Sequence, residues 1–192
     1  MSSRRLVAVA SCLAALCCTA ARAQEAPPTT RPPDWTEVLS ARLPQYGHRN
    51  WIAIVDSAYP AQTTPGLEMV RVNGADHLAA VRMVLQLLAH SKHVRPVIYL
   101  DAELPHVAEA DAPGIDRYRA DLAKALKGRT PRSLPHGEII DRLDAAGDKF
   151  RVLVLKTNLA LPYTSVFIEL DCGYWSADAE KRLRDAIAVE AK

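Results

Sequence analysis

The chain has 192 residues, 49% of them hydrophobic and 24% charged, with 24 Lys and Arg against 22 Asp and Glu. That profile belongs to a chain that folds, and it excludes a disordered, collagen-like or bulk nucleic-acid-binding protein. Arg4, Arg5 and Arg22 lie in the first 23 residues, which hold no acid, so the remainder carries 21 basic against 22 acidic groups, net −1. A body so near neutrality has no electrostatic pull on phosphate or on an anionic membrane, and its ligand is expected to be held by a few specific polar groups.

Residues 1–23 begin basic (Arg4, Arg5), continue apolar from Leu6 to Ala20 and end in Ala21-Arg22-Ala23 before Gln24. This reads as a secretory signal that is cleaved, so the mature chain is expected to be exported, periplasmic or secreted. The apolar run is shorter than the roughly 20 residues a spanning helix needs, and no membrane span is expected in the mature chain. Cys12, Cys17 and Cys18 leave with the signal. Only Cys172 remains, which allows no intramolecular disulfide, and no His or Asn at a matching spacing supports a thiol nucleophile.

Residues 24–33, QEAPPTTRPP, form an extended proline-rich tether. Asp34 caps a helix in which Trp35, Val38, Leu39 and Leu43 recur at helical spacing, and Pro44 ends it. Trp51 to Val55 is a continuous apolar run of strand length, as in a strand buried on both faces, with Asp56 directly after it. Leu67 to Val72 is a second strand, Asn73-Gly74 a turn, and Asp76 opens a long helix through Leu78, Val81, Val84, Leu85 and Leu88. Val97 to Leu100 is a short strand, with Asp101 placed after it as Asp56 is after its own. Pro113 starts an amphipathic helix carrying Ile115, Tyr118, Leu122 and Leu126, stopped by Gly128. A turn-rich piece through Pro131 and Pro135 precedes a shorter helix with Ile139, Ile140 and Leu143. Phe150 to Leu155 and Val166 to Leu170 are the last strands, and a capped helix runs from Ser176 onward.

Strands alternating with helices predict an α/β domain of three layers, α/β/α, around a mainly parallel sheet. The domain is expected over 34–175, with 176–192 as a helical extension. About 159 residues from Asp34 on suffice for one core.

Neither GxGxxG nor GxxxxGK spacing occurs, and neither HExxH, paired cysteines nor a GxSxG elbow is present. No nucleotide cofactor and no metal are expected; His90 and His93 flank Lys92 at a helix end, where solvated dipole compensation accounts for them. In an open α/β sheet, ligands bind outside the carboxyl ends of the strands. The residues to watch are therefore Asp56 and the loop Tyr163 to Ser165 that enters the last strand.

Gly47-His48 followed eight residues later by Asp56, within GHRNWIAIVDSAYP, resembles the G-H, apolar strand, D-x-x-x-P pattern of the ribose pyranase and fucose mutarotase family. The resemblance continues through Val70-Arg71-Val72-Asn73-Gly74, through Asp116-Arg117-Tyr118-Arg119 and through a Tyr-containing loop, covering about Asp34 to Asp171. It implies that family's fold and a sugar-ring isomerase activity without metal, nucleotide or covalent intermediate. By position, His48 takes the role of proton donor and Asp56 that of a sugar contact. Tyr163 matches the family's Tyr-x-Asn loop, whereas Ser165 stands where the family has Asn, and His136 is the candidate for its further basic group. The resemblance also implies a ring of subunits with sites near their interfaces.

The chemistry suits these groups. Ring opening takes a proton from the anomeric hydroxyl and delivers one to the ring oxygen, which histidine and carboxylate side chains can do near neutral pH. Fully extended, His48 and Asp56 would lie about 26 Å apart, so either the chain turns back at His48-Arg49-Asn50 or the two meet across a subunit boundary. Two other readings stand beside the isomerase: a binding module of the same fold that captures a monosaccharide or a protein without turnover, and a structural ring-forming protein that uses the C-terminal helix as an interface.

Overall fold

The structure is a computed structural model that describes residues 34–190. The signal expected over 1–23 and the tether over 24–33 lie outside them. No helix among the described residues is long and apolar enough to cross a membrane.

Asp34 opens helix α1 (Trp35–Arg42) through a capping box: its carboxylate accepts from Thr36 N, and Glu37 reaches back to the Asp34 N–H. A single 3-10 turn over Leu43–Gln45 leads to a tight turn at Gly47–Asn50, closed by Asn50 N donating to Gly47 O. Strands β1 (Trp51–Val55) and β2 (Leu67–Arg71) follow, then α2 (His77–His90), capped by Asp76, and β3 (Val94–Asp101). Helix α3 (Ile115–Ala125), strand β4 (Arg132–Leu134), helix α4 (His136–Gly147), strands β5 (Val152–Lys156) and β6 (Val166–Cys172), and helix α5 (Ala177–Glu190) complete the chain.

The six strands form one sheet in the order β2-β5-β1-β6-β3-β4. The β2·β5, β5·β1 and β3·β4 pairs are parallel, whereas β6 is antiparallel to β1 and to β3. Five strands thus run one way and β6 alone runs against them, the mainly parallel sheet that the alternating pattern predicts. As a result, the carboxyl ends of β1, β3 and β5 share one sheet edge with the amino end of β6.

The continuous apolar strands are explained by two covered faces. From β1, Ile52 and Ile54 join the core under α1, α2 and α3, while Trp51, Ala53 and Val55 join Ile139, Leu143 and Ala146 of α4 on the other face. β5 divides in the same way, Leu153 and Leu155 from Val152 and Val154. Alternate side chains point to opposite faces, so a strand between two helical layers must be apolar throughout.

Three local expectations are corrected. β3 begins at Val94 and runs through Pro96, because β4 pairs only with Tyr99 to Asp101 and leaves Pro96 on an open edge where its missing N–H costs little. Arg132–Leu134, expected as turns, is a short edge strand. Pro113 lies before α3 rather than in its first turn. The cap is Gly114, at φ +99, and the carboxylate of Glu109 accepts from Gly114 N and Asp116 N. At Gly66 a Cβ would run into the carbonyl oxygens of Gly147 and Phe150, so only glycine lets the entry to β2 approach the end of α4.

Candidate functional site

At the edge where β1, β3 and β5 end and β6 begins lies a cavity of about 760 Å³. Its polar wall is Asp56 from the end of β1, Gln62 from the following loop, and His136 and Asp141 from the first turns of α4. Its apolar wall is Tyr59, Ile140, Leu161, Pro162 and the half-exposed Tyr163.

Asp56 is fixed from behind. Its Oδ1 accepts from Ala58 N at 2.7 Å, and its Oδ2 accepts from the buried Ser165 hydroxyl at 3.4 Å. Ser165 therefore stands behind Asp56, whereas Tyr163 is on the wall. Tyr163 sits at φ +55, a strained backbone for a residue with a large side chain. Its neighbour holds the loop in place: Thr164 donates its hydroxyl to Leu161 O at 2.8 Å, and Tyr118 donates its own to Thr164 O at 2.8 Å.

His136 meets the ring of Tyr163 edge to face, with centroids 5.7 Å apart, and its Nδ1 lies 3.1 Å from Oδ1 of Asp101. The Asp101 side chain is fully buried, and its Oδ2 has no hydrogen-bond partner among the described residues. Burial raises the Asp101 carboxyl above its ordinary range, Glu103 and Asp56 push the same way, and His136 opposes them. With Nδ1 donating to Asp101, Nε2 is the nitrogen left to a ligand. α4 has no side-chain cap of its own; Glu103 supplies one, accepting from His136 N with both carboxylate oxygens. The end of β3 thus orients both the backbone and the ring of His136. A second polar residue placed directly after an apolar strand was the sequence signal for Asp101.

Beneath Asp56 lies a buried network that no spacing in the sequence revealed. His77 Nε2 is 3.2 Å from Ile54 O, and His77 Nδ1 is 3.2 Å from the Tyr118 hydroxyl. Burial lowers His77 to about 4, so the ring is neutral. Its single proton is then on Nε2, donated to the carbonyl, and the Tyr118 hydroxyl chooses between Nδ1 and Thr164 O. Tyr59, on the apolar wall, is pushed up to about 12 mainly by burial and donates to Gln62 Oε1 at 2.8 Å, while Gln62 Nε2 donates to Asp144.

His48 is elsewhere. It lines a second pocket of about 550 Å³ at the opposite sheet edge, with Arg49, Arg95, Asp171 and Trp175. The turn at Gly47–Asn50 does not bring it back, and the length of β1, about 17 Å at 3.3 Å per residue, separates it from Asp56. Within one chain, then, Asp56, Tyr163, Ser165 and His136 come together and His48 does not. Among the described residues no group of three or more His, Cys, Asp or Glu could hold a metal ion.

Sheet order and cavity together define an α/β protein with an amphipathic, small-ligand-sized site at its strand ends. Among solved structures, the chain is similar to RbsD of Bacillus subtilis complexed with D-ribose, at 16% identity and a TM-score of 0.48, over 73% of this chain and 96% of that one. It is also similar to FucU of Bifidobacterium longum (15%, TM-score 0.48, 70% and 92%) and to the fucose mutarotase of Streptococcus pneumoniae in complex with L-fucose (17%, TM-score 0.46, 70% and 91%). These are the group to which the sequence resemblance points. No family model matches the chain, and no curated protein matches it.

Proposed function

We propose that this chain binds a monosaccharide in the cavity beside Asp56 and interconverts its ring forms. The observation that carries the reading is the convergence of the Asp56 carboxylate and the Asp101-oriented His136 on a cavity whose other wall is aromatic and aliphatic. A sugar has that same division, hydroxyls around its rim and C–H groups on its faces.

In this reading Asp56 and Tyr163 hold hydroxyls and Ser165 steadies Asp56. His136, through Nε2, accepts the proton of the anomeric hydroxyl. A proton delivered to the ring oxygen lets the bond from that oxygen to C1 break as C1 becomes a carbonyl, and closure on the other face reverses both transfers. His48 is the proton donor, contributed by a neighbouring copy in a homo-oligomer, because its own chain holds it at the far edge. Cleavage after residue 23 would place this activity outside the cytoplasm.

A second reading, capture of a sugar without turnover, is favoured by that same distance, since a single copy presents one histidine, His136, and not His48 to the cavity. Exchange NMR with D-ribose, L-fucose and other pentoses and hexoses separates the two. Faster exchange between ring forms, lost in His48→Ala, supports the isomerase. Sugar-dependent shifts without faster exchange support capture, and no response to any sugar refutes both.

A further inference from the structure

Helix α5 buries none of its residues against the body of the chain, yet one side of it is apolar. Within the helix Ala179, Leu183 and Ile187 follow one another at intervals of four and make a single stripe, and Trp175, just ahead of the capping Ser176, stands at its start. Trp175, Leu183 and Ile187 are all exposed. The stripe is ordered at its start, where Trp175 donates its indole N–H to Glu180 at 2.8 Å and Ser176 caps the helix through Ala179 N.

The charges beside the stripe say what covers it. Asp178 and Arg182 border one side; Glu180 and Arg184, paired at 2.7 Å, border the other. Against a second α5 running antiparallel, with Ala179 opposite Leu183, a small residue meets a large one and Trp175 meets Ile187. In that register Asp178 faces Arg182 of the second copy and Glu180 faces its Arg184, and the two-fold axis repeats both pairs. Unlike charges therefore meet along both borders.

We propose that α5 is a homotypic docking element: it pairs antiparallel with α5 of a second copy of this chain, through the stripe from Trp175 to Ile187, in a closed two-fold contact. The inference does not depend on the sugar reading; the stripe lies away from the Asp56 cavity, and Trp175, Glu180 and Arg184 line the pocket that holds His48.

Light scattering on the full chain across a concentration series tests it. The wild type is expected at twice the mass of Leu183→Glu/Ile187→Glu, with unchanged circular dichroism, since neither residue supports the core. Arg182→Asp alone, which sets Asp178 against an acid, is expected to raise the dissociation constant at least ten-fold, and Asp178→Arg/Arg182→Asp to restore it. Equal masses for wild type and the apolar variant would overturn the proposal. Failure of the double swap to restore pairing would overturn the antiparallel register.

Discussion

Acidification is expected to destabilise this protein through one buried histidine. His77 is 3% exposed, beneath β1, and its folded-state value is about 4 against an ordinary 6.5. Because burial lowers it, the unfolded chain binds a proton that the folded chain refuses, and stability is whole above pH 6.5 and lost as pH falls toward 4. Between pH 7.5 and pH 5 the loss is about 2 kcal/mol, approaching about 3 kcal/mol below pH 4. Urea denaturation at the two pH values, for wild type and His77→Gln, measures it. Glutamine keeps a donor for Ile54 O but cannot take up the proton. The variant is expected to be less stable at pH 7.5, by about 1–3 kcal/mol for the lost packing and the imperfect hydrogen bond, yet to lose about 2 kcal/mol less than wild type on acidification. The carboxylates titrate in both proteins and cancel in the difference. Equal acid sensitivity in the two would mean that His77 is not the group that takes up the proton.

Other changes probe other links. Asp101→Asn keeps an acceptor for His136 Nδ1 but removes the charge, so ring exchange is expected to fall by roughly ten-fold or more with sugar affinity kept; unchanged exchange would remove Asp101 from the mechanism. Gly66→Ala pushes a methyl into the carbonyls of Gly147 and Phe150, and thermal or urea unfolding is expected to show a loss of about 3 kcal/mol. Ser165→Asn in the packed space behind Asp56 is expected to change which sugar is preferred, read as a change in the ratio of exchange rates for D-ribose and L-fucose.

Much of the fold is legible in particular residues. Asp34 and Asp76 cap the helices their positions announce, and the unbroken apolar runs at β1 and β5 mark strands covered on both faces. β4 is not legible, since three residues at a sheet edge carry no period and Arg132 and Ser133 stay exposed. Nor is the reversed direction of β6, because strand direction follows from how the connection crosses the sheet rather than from side-chain pattern.

At the site, Asp56 and Tyr163 are readable from their places at strand ends. The pairing of His136 with Asp101, and of His77 with Tyr118, joins residues 35 and 41 positions apart, and only the folded sheet brings them together. The separation of His48 from Asp56 is readable as arithmetic, and the structure removes the alternative in which the chain turns back.

The central claim, a sugar-ring isomerase whose site is completed by a neighbouring copy, is tested most directly by complementation. His48→Ala and Asp56→Ala are each assayed for ring exchange by NMR, then unfolded together, refolded as a mixture and assayed again. Two inactive variants and recovered exchange in the mixture are expected, because some sites there combine an intact His48 from one copy with an intact Asp56 from the other. A mixture as inactive as its components, beside an active wild type refolded in the same way, would contradict the claim.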